Sequence, residues 1–302
     1  MTSKFIRSRG PWELAFERLR RDRAAILSAA AILAIVILAI FAPLITSIVG
    51  HSPIAQYRQS GLSPSGIPVA PNRTFWFGTD GLGRDVLVRV VYGARVSLLV
   101  AVTSSLLAVI AGGVIGIAAG WYGGWVDTLL SRLMDVVLSL PLLIFALALV
   151  AVAGPGLIIS IVVIAFFSWA SVGRIVRGQT LSIRENDYVG AARLMGASHG
   201  RIMFVEILPN VAATVIVYST LLIPSAIAFE STLSFLGLGV VPPTPSWGNM
   251  LYDSAAYYKV AWWFVAFPGA ALLGTTLAFN VLGDSVRDAF DPRHDQTIGG
   301  VE

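Results

Sequence analysis

The chain has 302 residues, of which 56% are hydrophobic and only 13% are charged. Soluble domains carry about 25% charged residues, so this composition excludes a soluble enzyme and indicates a polytopic membrane protein. The formal net charge is +4. In a membrane protein, basic residues fix the orientation in the lipid bilayer, and we therefore expect no nucleic-acid partner. The chain has no cysteine, which excludes disulfides and thiolate chemistry, and its three histidines lack metal-ligand spacing, so we predict no metal site.

Apolar stretches without charged residues recur along the chain and predict six transmembrane helices, since about 20 such residues cross a bilayer core of about 30 Å. The first stretch is too long for the apolar region of a signal peptide, so we expect it to be retained. Residues 231–252 are also uncharged, but their glycines and prolines predict an ordered loop instead of a span. The predicted transmembrane helices are residues 24–49, 96–120, 136–153, 157–173, 210–230 and 260–283.

Basic residues are concentrated on the side of the membrane that carries both termini. The positive-inside rule therefore predicts that both termini are cytoplasmic. The predicted cytoplasmic segments are residues 1–23, 121–135, 174–209 and 284–302, and the predicted external loops are residues 50–95 and 231–259. The sequence thus predicts an all-α polytopic membrane protein with a long internal loop before the fifth span.

The central parts of the predicted spans contain no Asp, Glu, Lys or Arg. Proton- and ion-coupled carriers usually need such residues, so a secondary carrier is disfavoured. Asp135, Glu230 and Asp284 lie at span ends, where we expect solvated, interfacial positions. Neither lysine, Lys4 nor Lys259, lies in the Gly-Lys-Ser/Thr context of a phosphate-binding loop. If ATP powers transport, another subunit hydrolyses it.

Gly112, Gly116 and Gly120 in the second predicted span are spaced four residues apart. This spacing places three positions without side chains on one helix face, where another helix can approach closely. We predict a helix-packing role for these glycines. The alternative is a groove that faces the substrate.

The internal loop between the fourth and fifth spans has signals for two short helices. Asp187 is predicted to cap a helix that begins near Tyr188, and Gly196 to end it in a left-handed conformation. Ser198 is predicted to cap a second helix that runs until Pro209 opens the fifth span. Two helices joined at a glycine form a compact projection. The alternative is an amphipathic loop that lies on the membrane surface.

The same segment, DYVGAARLMGASHGRIMFVEILPN, resembles the EAA loop of ATP-binding-cassette (ABC) importer permeases. Gly190 stands where that family usually has Glu. In this family the loop couples the permease to its ATPase, which implies a coupling role for the matching region. The implied coupling residues are Ala191, Ala192, Gly196, Ala197, Ser198, Ile207, Leu208 and Pro209.

Three further segments, residues 76–101, 231–251 and 278–293, are similar to signatures of dipeptide and oligopeptide permeases. Together they resemble the C-type subunit of a peptide-family ABC importer. The resemblance implies a type I importer fold with a permease domain at about residues 95–285, in the bacterial inner membrane. It also implies four partners: a homologous second permease, two cytoplasmic ATPase subunits and an external substrate-binding protein. ATP and Mg would be bound by the ATPase subunits, so no cofactor is expected in this chain.

Several functions stay open at this point. The substrate of such an importer is a dipeptide or oligopeptide, or alternatively glutathione, a nickel complex or another small solute. A secondary carrier and a membrane scaffold are the other classes of function. Buried charges or internal repeats would favour a carrier, and neither is evident in the sequence. No local motif identifies substrate-contacting residues.

Overall fold

The computed structural model describes residues 11–290, and this part of the chain is helical apart from turns and two isolated β-bridges. The predicted all-α class is confirmed. Parts of the predicted tails, residues 1–10 and 291–302, lie outside the described residues. The helices are α1 (Pro11–Arg21), α2 (Arg23–Ile40), α3 (Ala42–Val49), α4 (Arg58–Gly61), α5 (Val86–Tyr122), α6 (Gly124–Ser139), α7 (Leu142–Ala153), α8 (Leu157–Arg184), α9 (Asp187–Leu194), α10 (His199–Arg201), a π-helical segment (Ile202–Ile207), α11 (Leu208–Phe235), α12 (Trp247–Ser254) and α13 (Trp262–Phe290).

Five helices in the described part of the chain are long and apolar enough to cross a membrane: α2, α5, α8, the continuous helix His199–Phe235, and α13. A sixth span is present if α6 and α7 count as one, with a bend of 86° between them. Proline causes this bend, because Pro141 has no N–H to donate and disfavours a helical conformation at Leu140. Leu140 is accordingly extended, with ψ 131°. The six predicted spans correspond to these five helices and the bent pair.

Helices α5, α8 and α11 extend beyond the charge-free stretches from which their spans were predicted. The first predicted span, residues 24–49, is instead divided at Phe41 into α2 and α3. Helix α5 begins at Val86 rather than at residue 96, and α8 continues to Arg184 rather than ending at residue 173. Most of the predicted loop 121–135 is helical and belongs to α6. Several charged residues in these extensions are paired, as between Arg177 and Asp127. Charges therefore do not end the helices, and the boundaries expected from charge alone are too narrow.

The backbones of α5 and α8 lie close together at the three glycines of α5. A Cβ atom built on Gly112, Gly116 or Gly120 would lie 2.6 Å from an atom of α8 in each case. Such distances are too short for any side chain, so glycine permits this approach. Gly113, on another face of α5, would meet no atom within 4 Å. It lines an apolar groove of about 450 Å³ between α5 and the start of α11.

At one end of the bundle, residues 50–85 and 236–261 pack over the helices, and we call them the cap. Two tryptophans join the cap to the bundle. The indole N–H of Trp247 donates to the carbonyl oxygen of Val90 (3.0 Å), and that of Trp263 donates to the carbonyl oxygen of Thr79 (3.2 Å). Buried indole N–H groups need such acceptors, so these bonds fix the cap on α5 and α13.

The cap and the first turn of α5 share a buried network of charges. Asp80 and Arg89 are fully buried, and Arg84 is 4% exposed. The Asp80 carboxylate accepts from the Arg84 Nε at 2.5 Å and lies 3.3 Å from the Arg89 Nε. Arg84 also donates to Asp253 across the cap at 3.2 Å. Burial raises the pKa of Asp253, and this effect outweighs the opposing attraction of Arg84.

The expected solvated position of Glu230 is wrong, because the structure buries this residue completely. The hydroxyl of Ser97 donates to Glu230 Oε2 at 2.9 Å, and the hydroxyl of Ser234 donates to Oε1 at 2.7 Å. Helix α11 continues past Glu230 to Phe235, and the cap covers this end, so the carboxyl group lies inside the protein. Asp135 and Asp284 are exposed, as the sequence predicts.

Candidate functional site

The segment between α8 and α11, residues 185–207, forms the candidate site, and we call it the projecting loop. Its first helix is α9. Asn186 occupies the N-cap position but makes no side-chain capping bond, so the predicted cap at Asp187 is one residue too late. Asp187 is instead the first helical residue. Its negative charge still favours the helix there, because the first turn of a helix carries a partial positive charge.

Helix α9 ends in a turn that requires a glycine. Gly196 has φ +81°, in the left-handed region. The Gly196 N–H donates to the Arg193 carbonyl (3.0 Å), and the Ala197 N–H donates to the Ala192 carbonyl (3.1 Å). This pair of bonds is a Schellman motif. A Cβ on Gly196 would meet no atom within 4 Å, so backbone conformation rather than lack of space restricts this position to glycine.

The chain after Gly196 re-enters the bundle as one continuous helix. The Ser198 hydroxyl accepts from the backbone N–H of Arg201, as expected of an N-cap. The helix then widens into the π-helical segment and continues as α11, so the predicted break at Pro209 is absent. Proline lacks an N–H and clashes with the carbonyl four residues earlier. The wider π turn just before Pro209 accommodates this residue without ending the helix.

The residues predicted for coupling occupy two places. Residues 191, 192 and 196–198 lie at the tip of the projecting loop, and residues 207–209 lie where it joins α11. Ala192 and Ile207, one from each place, are buried in the same apolar cluster, whereas Ala191 and Pro209 are exposed. The cluster consists of Trp121, Val172, Val176, Ile183, Val189, Ala192, Ile202, Ile207 and Val211.

Large apolar side chains at the tip of the projecting loop have little contact with this chain. Leu194 is 91% exposed and Met195 is 81% exposed, immediately before the Gly196 turn. Neighbouring exposed side chains of this size are typical of protein contact surfaces. The loop is therefore anchored by one face of α9 and presents the opposite face outward.

Sequence reasoning missed three residues that hold the loop on the bundle. Trp121, at the end of α5, is 4% exposed. The Arg193 guanidinium lies 4.3 Å from its ring centroid, and its indole N–H donates to Nδ1 of His199 at 3.1 Å. Trp121 lies about 70–80 positions before Arg193 and His199, and no local spacing in the sequence links it to them. The only signal is a tryptophan at the end of a span, which is equally typical of a membrane interface.

The described residues contain no group of three or more His, Asp or Glu side chains that could hold a metal ion.

The fold defines the chain as a polytopic α-helical membrane protein with a helix–glycine–helix loop at one end of its bundle. Comparison with known proteins narrows this class. Residues 112–296 match the family described as "Binding-protein-dependent transport system inner membrane component", and residues 10–64 match the "N-terminal TM domain of oligopeptide transport permease C". The chain belongs to the family of binding-protein-dependent transport system inner membrane components, and the predicted family is confirmed.

Three curated relatives are similar over nearly the whole chain. The dipeptide transport system permease protein DppC of Alkalihalophilus pseudofirmus is 41% identical over 94% of this chain and 90% of the relative. The di/tripeptide transport system permease protein DppC of Pseudomonas aeruginosa is 43% identical over 86% of this chain and 85% of the relative. A putative peptide permease protein of Brucella suis is 40% identical over 95% of this chain and 92% of the relative.

Proposed function

We propose that this chain is the permease subunit of an ATP-driven importer of dipeptides or oligopeptides, and that it forms half of the translocation path. The names of the relatives, which are dipeptide, di/tripeptide and peptide permeases, support a peptide substrate. The projecting loop supports the coupling role. Its exposed Leu194 and Met195 stand on a rigid turn at the end of the bundle, as a contact surface for another subunit requires.

The proposed complex contains a second, homologous permease, which completes the path. Two cytoplasmic subunits bind ATP and Mg and hydrolyse the nucleotide, and each receives the projecting loop of one permease. An external binding protein delivers the substrate. Closure of the ATPase pair on nucleotide binding pushes the projecting loops, and the helix bundles pass this movement to the substrate path.

The proposed orientation places the projecting loop and both termini in the cytoplasm and the cap outside the bacterial inner membrane. Helix α5 has 37 residues and a length of about 55 Å, and it runs from the cap to the projecting loop. These two regions therefore lie at opposite ends of the bundle. The rings of Trp12 and Phe290 are 5.1 Å apart, so the two ends of the described chain lie together.

Labelling of single cysteines tests this orientation, and the chain has no native cysteine to interfere. We expect an impermeant thiol reagent outside intact cells to label Ser65→Cys and Thr244→Cys in the cap. Met195→Cys should react only after the membrane is opened. Labelling of Met195→Cys in intact cells would contradict the orientation.

Reconstitution tests the transport function. We expect proteoliposomes that contain both permeases and both ATPase subunits to take up a labelled dipeptide only when ATP is inside and the binding protein is outside. Glutathione and a nickel complex, tested in the same vesicles, separate the alternative substrates. Uptake of either of these without dipeptide uptake would overturn the peptide assignment. ATP-independent uptake would indicate a secondary carrier.

A further inference from the structure

Trp121 joins the end of α5 to both halves of the projecting loop. Arg193, in the last turn of α9, places its guanidinium over the Trp121 ring, 4.3 Å from the ring centroid. His199, beyond the Gly196 turn, accepts the indole N–H at 3.1 Å. Because an indole N–H only donates, Nδ1 of His199 carries the lone pair in this bond. One side chain of α5 therefore contacts the loop on either side of its turn.

The end of α5 is also fixed from the side of α8. Arg184 donates from Nη1 to the carbonyl oxygens of Gly120 (3.1 Å) and Trp121 (3.5 Å). A cation at this position complements the partial negative charge at a helix C-terminus. A cavity of about 350 Å³ lies beside the joint, lined by Trp121, Tyr122, Arg184, Glu185, Arg193 and His199.

Few other contacts connect α9 to the bundle. Its buried residues are Val189 and Ala192, and both lie in the apolar cluster that contains Trp121. A movement of α9 must therefore displace Trp121 or break its contacts with Arg193 and His199. Helix α5 is continuous from Trp121 to the cap, where Asp85 accepts the N–H of Val88 as its N-cap. A displacement at Trp121 is thus applied to a helix that spans the whole bundle.

We propose that Trp121 is a positioning residue through which movement of the projecting loop is passed to α5, with Arg193 and His199 as its partners on the loop. This inference rests on the proposed function, in which the projecting loop docks on an ATPase subunit. It identifies the contact by which the docked loop would act on the rest of the permease, which is the contact of Trp121 with Arg193 and His199. Trp121 is buried in the bundle, in contrast to the exposed Leu194 and Met195.

The test compares Trp121→Phe, Arg193→Gln and the double variant in the reconstituted complex. Trp121→Phe keeps an aromatic ring but removes the N–H that His199 accepts, and Arg193→Gln removes the cation above the ring. We expect the ATPase subunits to co-purify with every variant. Stimulation of ATP hydrolysis by the loaded binding protein should fall at least about fivefold in each single variant, the lower end of usual coupling between sites. The double variant should be no worse than additive, because both changes affect one joint.

Two controls separate coupling from simple destabilisation. Arg193→Lys keeps a cation over the ring and should restore most of the stimulation. Trp125→Phe makes the same substitution at a tryptophan that is 76% exposed, and it should leave stimulation and thermal stability unchanged. Wild-type stimulation in both Trp121→Phe and Arg193→Gln would overturn the inference and leave the proposed function intact. If both variants lose stimulation only together with a lowered unfolding temperature, and Arg193→Lys does not restore the stimulation, the inference is also overturned. Failure of the wild-type complex to respond to its binding protein would instead overturn the proposed function, and this inference with it.

Discussion

Asp80 of the cap and Arg89 of α5 are fully buried and form an ion pair, whereas Leu194 and Met195 in the projecting loop are 91% and 81% exposed. The buried charges at this end of the bundle are paired within one chain. The projecting loop has a shape fixed by a glycine turn and an apolar surface that this chain leaves uncovered. The comparison shows buried, paired charges at one end of the bundle and an uncovered apolar surface at the other, which supports the proposed contact of the projecting loop with a second protein.

Asp80→Ala should have the largest effect on stability and tests the cap half of this comparison. It leaves Arg84 and Arg89 buried without their shared carboxylate, and breaking a buried ion pair in this way costs about 3–5 kcal/mol. Thermal unfolding in detergent measures the loss. Leu194→Ala is the matched change in the projecting loop and should alter stability by no more than about 0.5 kcal/mol. Equal unfolding temperatures for the two variants would contradict the comparison.

Gly116→Ala tests the bundle that joins the two regions. The added methyl group would lie 2.6 Å from the carbonyl oxygen of Gly173, so α5 and α8 must separate. Overpacking of this kind costs about 1–3 kcal/mol. Gly113→Ala, one turn away on an open face, should instead stabilise the helix by about 0.5–1 kcal/mol. Opposite shifts in unfolding temperature support the packing role, and the same shift in both variants would exclude it.

Gly196→Val tests the projecting loop and should separate stability from function. A side chain at φ +81° is strained by roughly 1 kcal/mol or more, so the turn shifts while the spans stay folded. We expect membrane insertion to be normal and peptide uptake to be lost. The ATPase subunits should dissociate or hydrolyse ATP without response to the loaded binding protein.

Gly200→Val provides the control for Gly196→Val, because Gly200 lies in a helix with an ordinary φ and open space around its Cα. It should retain most of the stimulated ATPase activity. Wild-type stimulation in Gly196→Val, measured in reconstituted complexes, would show that the projecting loop is not the coupling element.

Asp253→Asn should have the smallest effect on stability, and it tests whether the stability of the cap depends on pH through Asp253. Burial raises the pKa of Asp253 in the folded protein, so its charged form weakens the folded state at neutral pH. The native state gains relative stability as pH falls through this raised pKa, whereas the Asn variant does not titrate. We therefore expect the variant to be more stable than the wild type by up to about 1 kcal/mol at pH 7.5, with a smaller difference at pH 5. If the stability difference between the variant and the wild type grows as the pH falls, the pKa of Asp253 is not raised in the folded protein.

The sequence was sufficient for the fold class and for the turn at Gly196, and insufficient for the contacts between distant segments. Uncharged apolar stretches report membrane spans directly, since lipid excludes charges. The positive φ of Gly196 follows from local helix signals on both sides of it. The burial of Glu230 was missed because its partner Ser97 lies on another helix, 133 residues away. The joint at Trp121 was missed for the same reason, as hydropathy and spacing carry no information on which distant side chains meet.

Helix α2 packs against α13, and Ser285 of α13 donates to the Asp22 carboxylate at the start of α2 (2.6 Å). Helix α2 therefore has a main partner in α13, the last helix of the described residues. About 220 residues separate them, which at about 5–20 residues per second corresponds to a delay on the order of 10–45 s. During this interval α2 is in the membrane with its face of small residues, including Ala25 and Ser28, still uncovered. Assembly of the bundle is thus completed only after the ribosome has passed α13, and a chain cut short before that helix leaves α2 open to incorrect partners.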